Sequence, residues 1–227
     1  MLWLEEPEED EIQPAHQNPI LDYAYRIQCH CLPIEHAYLL AEAIMAILPW
    51  IRDEPNAGIH SIHVADSGNG WIRPTGNGNN LLHLSRRTRL LLRLPKSLLP
   101  KARELEGSTL FIDGNTLVVG KGQEKPLLAS STLFARYIVD EYGEETRFVS
   151  YLVDQLQHLG IRPRKILCGR SHVIPTPEAP IHTRSALIAE LTPEESLQLQ
   201  QNGIGQNHQL GCGLFIPHKG IAPVSKA

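Results

Sequence analysis

Two kinds of residue in this 227-residue chain could do chemistry: histidines placed at the starts of elements, and glycines crowded together near the C-terminus. Histidine titrates near neutrality and can accept or donate a proton in a reaction. Among eleven histidines, His36 falls in the first turn of a helix expected to open at Pro33. There the helix dipole favours a neutral imidazole, and so a general base. His60 follows Gly58 where that helix has ended and the next strand begins, on a strand face shared with Ile62 and Val64. No H-E-x-x-H, no C-x-x-C pair and no Asp/Glu cluster with two-metal spacing is present, so metal-free proton transfer is the expected chemistry and no cofactor is expected. Cys29, Cys31, Cys168 and Cys212 offer one alternative, a zinc site, though cysteines on strands are more often small apolar residues.

The glycines form two Gly-hydrophobic-Gly pairs, Gly203/Gly205 and Gly211/Gly213, with His208 between them. Glycine serves where φ must be positive or where something approaches the backbone closely, and a run of uncovered N–H groups accepts anions. The loop is therefore expected to hold a charged polymer or nucleotide rather than to pack. Upstream, Thr192, Pro193 and Glu195 spell a capping box for a helix ending at Asn202, and Leu214-Phe215-Ile216 reads as a final strand. Helix, glycine loop, strand is the reverse order of a P-loop or dinucleotide fingerprint, which argues against an ATPase or an NAD enzyme.

Charge points the same way once its distribution is considered. The net charge is −4, but six of the 25 acidic residues lie in the first eleven positions, leaving 21 basic against 19 acidic residues beyond them. Arg86, Arg87, Arg89, Arg93, Lys96, Lys101 and Arg103 occur without an acidic residue between positions 81 and 103, and Arg162, Arg164, Lys165, Arg170 and His172 form a second block. Both are candidate phosphate-contacting stripes, with a solvated face as the plainer reading. Trp50, Trp71 and the tyrosines are candidates for stacking on unpaired bases, or for core.

The elements that must position these residues follow from periodicity. Residues 1–19 read as an acidic tail. Alternation over Tyr23–Cys31 predicts a strand, an apolar stripe from Pro33 to Leu48 a helix, Ile59–Ala65 a strand, and Ser67–Asn80 a loop. Thr88–Leu94 then reads as a strand, Ser97–Leu105 as a helix, and Thr109–Val119 as a hairpin around Asp113-Gly114. A second series gives strand Phe134–Val139, helix Glu144–Leu159, strands Lys165–Val173 and Ile181–Glu190, helix Pro193–Asn202, and strand Leu210–Ile216. The expected fold class is α+β, two tandem ferredoxin-like βαββαβ units at 20–122 and 132–227 joined by a linker at 123–131.

The glycine signature, together with Ser85-Arg86-Arg87-Thr88-Arg89-Leu90, Leu92-Arg93-Leu94-Pro95, Leu32-Pro33-Ile34-Glu35-His36-Ala37-Tyr38, Gly58-Ile59-His60 and Leu214-Phe215-Ile216-Pro217-His218-Lys219, resembles the CRISPR-associated endoribonucleases of the repeat-associated RNA-binding superfamily, in their Myxococcus-type form. The resemblance spans most of the chain from about residue 20. It implies two ferredoxin-like folds and metal-independent cleavage of precursor CRISPR RNA to guide RNA with 2′,3′-cyclic phosphate and 5′-hydroxyl ends. Together with the reading of the residues, it gives His60 or His36 as the expected catalyst, with RNA contacts expected from Arg86, Arg87, Arg89, Arg170, His172, Gly203, Gly205, His208, Gly211, Gly213 and Lys219. The partners it implies are CRISPR repeat RNA and other subunits of a type I CRISPR effector complex. A subunit that binds RNA without cutting it is the alternative. Four cysteines do not make a secreted disulfide framework, and no apolar run approaches the ~20 residues of a membrane span, so a cytoplasmic, prokaryotic location is expected.

Overall fold

The computed structural model describes residues 19–63 and 81–218. The acidic tail to residue 18, the loop expected at Ser67–Asn80 with its Trp71, and Lys219 lie outside the described residues. No helix among those described is long and apolar enough to cross a membrane.

The first half runs β1 (Ile20–Gln28), β2 (Cys31–Pro33), α1 (Ala37–Met45), β3 (Gly58–Ile59), β4 (Leu81–His83), β5 (Arg89–Pro95), α2 (Leu99–Ala102), β6 (Thr109–Ile112) and β7 (Asn115–Pro126). The second half runs β8 (Thr132–Val139), α3 (Glu145–His158), β9 (Lys165–Ile174), β10 (Ile181–Ala189), α4 (Pro193–Asn202) and β11 (Ile216–Pro217). The sheet orders β3-β5-β1-β7-β6 and β11-β8-β10-β9 both place the first strand of a unit between its third and last. That is the ferredoxin-like order, carried twice, with the β6–β7 hairpin widening the first sheet.

Most elements lie where the sequence pattern places them, and the differences have local causes. The expected strand to Cys31 breaks after Gln28, and Cys31–Pro33 pairs instead with Leu81–His83 as a separate ribbon. With Pro33 in that ribbon, α1 begins at Ala37 and His36 is its N-cap rather than a first-turn residue. The helix expected at 97–105 is a series of short turns around α2, because Pro100 has no N–H to donate. Gln123–Pro126, expected in the linker, extends β7 and pairs with Leu21–Ala24 of β1. The capping box at Thr192 forms as the sequence predicts: Glu195 N–H donates to Thr192 Oγ1 at 3.2 Å, and Thr192 N–H donates to Glu195 Oε2 at 2.8 Å.

Two apolar clusters underlie the two sheets, and the first crosses the junction. Ile174, Leu210 and Cys212 from the second half join β1, β5, β7 and α1 in the first core. A buried arginine fastens the same seam. Arg93 stands directly opposite Asp22 in the β1–β5 ladder and donates to both carboxylate oxygens, at 2.9 and 3.2 Å. Its Nη1 donates to the carbonyls of Gln200 at 2.9 Å and Phe215 at 2.8 Å, across the junction. Arg93, expected in the phosphate-contacting stripe, is thus 2% exposed and spent inside the protein.

Candidate active site

The segment Gly58–His63 lies on the seam. Gly58 and Ile59 pair with β5, and His60 N–H donates to Leu91 O at 3.0 Å. The next ladder bonds do not form, because Ile62 N–H turns to His36 Nε2 at 3.1 Å. This shortens the strand expected at Ile59–Ala65 to two residues, with Val64 and Ala65 outside the described residues. The other nitrogen of His36, Nδ1, donates to Pro33 O at 2.7 Å. Both ring nitrogens are engaged, so the imidazole is neutral with its proton on Nδ1. Burial holds its pKa below the ordinary histidine value.

The glycine loop packs against this segment. Gly203, Gly205, Gly211 and Gly213 all have positive φ, as their spacing suggested. A Cβ on Gly211 would meet Ser61 Oγ at 3.0 Å and Ile59 O at 3.1 Å, and one on Gly213 would collide with Ile204 O. From the other side, a Cβ on Gly58 would lie 2.8 Å from Leu214 and 3.1 Å from His208 O. Part of the loop's N–H set is covered from within the protein: Ile204 N–H donates to Gly213 O, Cys212 N–H to Asn207 O, Gly211 N–H to His208 O and Gly213 N–H to Tyr137 O. Packing is one reason for these glycines, because bare backbone lets the loop close on itself and touch both halves. The strand expected from Leu210 is correspondingly reduced to Ile216–Pro217.

On this support sit the ionisable groups. His60 Nε2 lies 3.4 Å from Asp22 Oδ1, with side-chain exposures of 11% and 8%, and is itself buried. Burial lowers the His60 pKa, partly opposed by the Asp22 charge. Asp22 itself is held well below the carboxylate range: His60 and Arg93 outweigh the burial that would raise it. Three residues on, His63 is pushed down to about 2 by burial first, then by the charges of Arg136, His36, His60 and His172. Its ring centroid is 6.1 Å from that of Tyr137, which stacks on His172 at 4.9 Å. His172 Nε2 in turn meets Glu35 Oε2 at 3.0 Å across the seam. Three other imidazoles and the Arg136 guanidinium are therefore within electrostatic reach of His63 at the junction.

Residues 21–220 match the family model described as Cas6 Crispr. The chain belongs to the Cas6 family. It is 28% identical over 198 residues to the CRISPR-associated endonuclease Cas6 of Myxococcus xanthus (strain DK1622), covering 87% of this chain and 81% of that one. Among solved structures, a RAMP protein described as binding different RNA substrates aligns with TM-score 0.60 at 15% identity, covering 88% of this chain and all of that one. A CRISPR associated protein Cas6 gives TM-score 0.61 at 9% identity, with 88% and 100% covered. A Cas6-related protein from Pyrococcus furiosus gives 0.56 at 14%, with 86% and 97% covered. These likenesses show the Cas6 fold, two ferredoxin-like units in tandem, and agree with the family resemblance read from the motifs.

Of the residues singled out from the Cas6 motifs, the structure brings His36, His60 and His172 together and sets Arg86 and Arg87, both exposed, on the turn before β5. Arg89 lies opposite Arg26 in the β1–β5 ladder and donates to the carbonyls of Arg86 and Thr88. Arg170 is exposed on β9, whereas Arg164 in the same block is tied to Glu190 O and Glu195. His208 is turned into the loop, its Nε2 close to Gly203 and Gly213, with its pKa lowered by burial. Sequence reasoning missed His63 and Arg136, and named Tyr137 only among the tyrosines as a group. Periodicity on a strand end gave no direction for His63, and the β8 residues became relevant only through docking of the two halves.

Proposed function

We propose that this chain is a metal-independent endoribonuclease that binds CRISPR repeat RNA and cleaves precursor CRISPR RNA into guide RNAs, leaving 2′,3′-cyclic phosphate and 5′-hydroxyl ends. The observation that carries this reading is that the seam places His36 on the backbone of the His60–His63 segment and His172, through Tyr137, beside His63, with Arg136 within electrostatic reach. Imidazoles beside a guanidinium suit the negative charge of a phosphodiester. RNA brings its own nucleophile, the 2′-hydroxyl, so the protein need only hold the phosphate, remove one proton and return another to the leaving oxygen.

His60 is assigned the proton transfer. Its Nε2 lies 3.4 Å from the Asp22 carboxylate, which stabilises the imidazolium. His36, the other expected catalyst, would have to break one of two backbone hydrogen bonds to move a proton, and is assigned to holding Ile62 and hence the His60–His63 segment. Arg86, Arg87 and Arg170 are assigned to phosphates. So is Arg89, because its like-charge neighbour Arg26 makes that point of the ladder favourable for an anion. In this reading the glycine loop supports His60 rather than cradling phosphate. The protein acts in the cytoplasm of a prokaryote, alongside other subunits of a CRISPR effector complex.

Repeat RNA incubated with the protein in EDTA tests the reading. Cleavage should persist in chelator and stop when the nucleotide upstream of the scissile phosphate is 2′-deoxy, while binding survives. Cleavage of the deoxy substrate would overturn the mechanism. Retention of the all-ribose RNA without cleavage would make the protein a binding subunit.

A further inference from the structure

A second feature lies beside the histidine cluster. Tyr137 and Val139 both pack toward the first core from β8, two residues or about 7 Å apart along the strand. Tyr137 belongs to the histidine cluster. Val139 lines a separate open cavity of about 290 Å³, with Glu141, Tyr142, Tyr151, Gly205 and Gln206. That volume lies at the lower edge of the ~300–1,000 Å³ of drug-sized sites and suits a single planar ring system.

The walls are set before anything binds. Asp140 Oδ1 accepts from the N–H groups of Tyr142 and Gly143, at 3.1 and 3.0 Å, and its Oδ2 is held by Arg184 at 2.9 Å, which fixes the loop presenting Tyr142. The Tyr142 ring, 45% exposed, lies 5.6 Å from the Tyr151 ring at 43°. Gly205 keeps the space open, since a Cβ there would sit 2.9 Å from Tyr151 Oη. At the rim Gln206 Nε2 donates to Glu141 Oε1 at 3.3 Å. A carboxylate at the mouth repels a phosphate and welcomes N–H donors. Guanine presents two side by side, N1–H and the 2-amino group, matching the two carboxylate oxygens. Adenine and cytosine place one donor beside an acceptor, and uracil places one between two carbonyls.

We propose that the cavity bounded by Tyr142, Tyr151, Glu141 and Gln206 is a nucleobase subsite that takes an unpaired guanine of the bound RNA, stacked on Tyr142 and read by Glu141. The subsite rests on the reading of the chain as an RNA-binding protein. About 7 Å along β8 from Tyr137, it is within reach of a base neighbouring the nucleotide at the histidine cluster.

Calorimetric titration of the full chain with guanosine, adenosine, cytidine and uridine monophosphates tests the subsite without requiring cleavage. Guanosine monophosphate should bind most tightly, and excess inorganic phosphate should not displace it. Glu141→Gln should level the four affinities, and Tyr142→Ala should weaken guanosine monophosphate by roughly 5- to 100-fold, the range of single base-stacking losses. Thermal melts matched to the parent would show that the variants fold. Equal affinity for the four nucleotides, no binding, displacement by phosphate, or unchanged binding in Tyr142→Ala would each overturn the subsite. A chain that binds guanosine monophosphate in this way but does not cut repeat RNA would sink the nuclease reading and leave the subsite standing.

Discussion

Burial keeps a histidine neutral until a further negative charge comes near, and this governs the chemistry of single residues here. His36, His60 and His63 all have pKa values lowered by burial, and Arg136 and His172 add to the effect at His63. Their native values lie below those of the unfolded chain, so the stability they contribute is present above the ordinary histidine value of ~6.5 and is lost as pH falls below it. Acid melts of the free protein should show that loss. Repeat RNA should reverse it: a phosphate beside Arg136 and the imidazoles raises their affinity for protons, so binding should tighten from pH 7.5 to 5.5 and take up protons, measurable by calorimetry in buffers of different ionisation enthalpy. Affinity independent of pH would mean that the phosphate binds elsewhere. His60→Ala should cut single-turnover cleavage at least ~10²-fold with RNA affinity within a few-fold. His36→Ala should slow cleavage too, but together with a lowered melting temperature, because Ile62 N–H and Pro33 O lose their buried partner.

At the scale of elements, the glycine loop and Arg93 do one job, the fastening of the two sheets under the site. Arg93 holds Asp22 on one side and two carbonyls of the second half on the other. Arg93→Met should destabilise by ~3–5 kcal/mol, because Asp22 is left as a buried charge with only His60 beside it. Adding Asp22→Asn to that variant should recover part of the loss, measured by denaturant unfolding. Gly213→Ala should destabilise as well, since its Cβ would collide with Ile204 O at a positive φ. The elements themselves were largely legible. Thr192, Pro193 and Glu195 fix the start of α4 through local bonds that a sequence displays directly. Arg93 was misread for the opposite reason. A run of arginines does not show that one of them stands opposite Asp22 in a ladder 71 residues away, or that a second unit covers both. The glycines were legible as positive-φ positions, but their role was not, because the segment they touch is more than 140 residues upstream.

For the whole molecule, duplication of one fold creates a junction, and each half brings a different part of the site to it. The first half supplies Glu35, His36, His60 and His63, and the second supplies Arg136, Tyr137 and His172. Neither half holds the cluster alone, so a site at the cluster depends on docking of the two. The exposed arginines on the turn before β5 lie outside that junction and should act through charge alone. Arg86→Ala and Arg87→Ala should each weaken RNA binding and make its log–log salt dependence shallower by about 0.7 for a single-stranded contact, with unfolding unchanged. Arg93→Met should do the reverse, lowering stability while leaving the salt slope of the folded fraction as it was, because a guanidinium saturated by Asp22 and two carbonyls has no charge to offer a phosphate. If Arg93→Met flattened the salt slope as much as Arg86→Ala does, the arginine would be reaching RNA, and the seam it fastens would have to open when RNA binds.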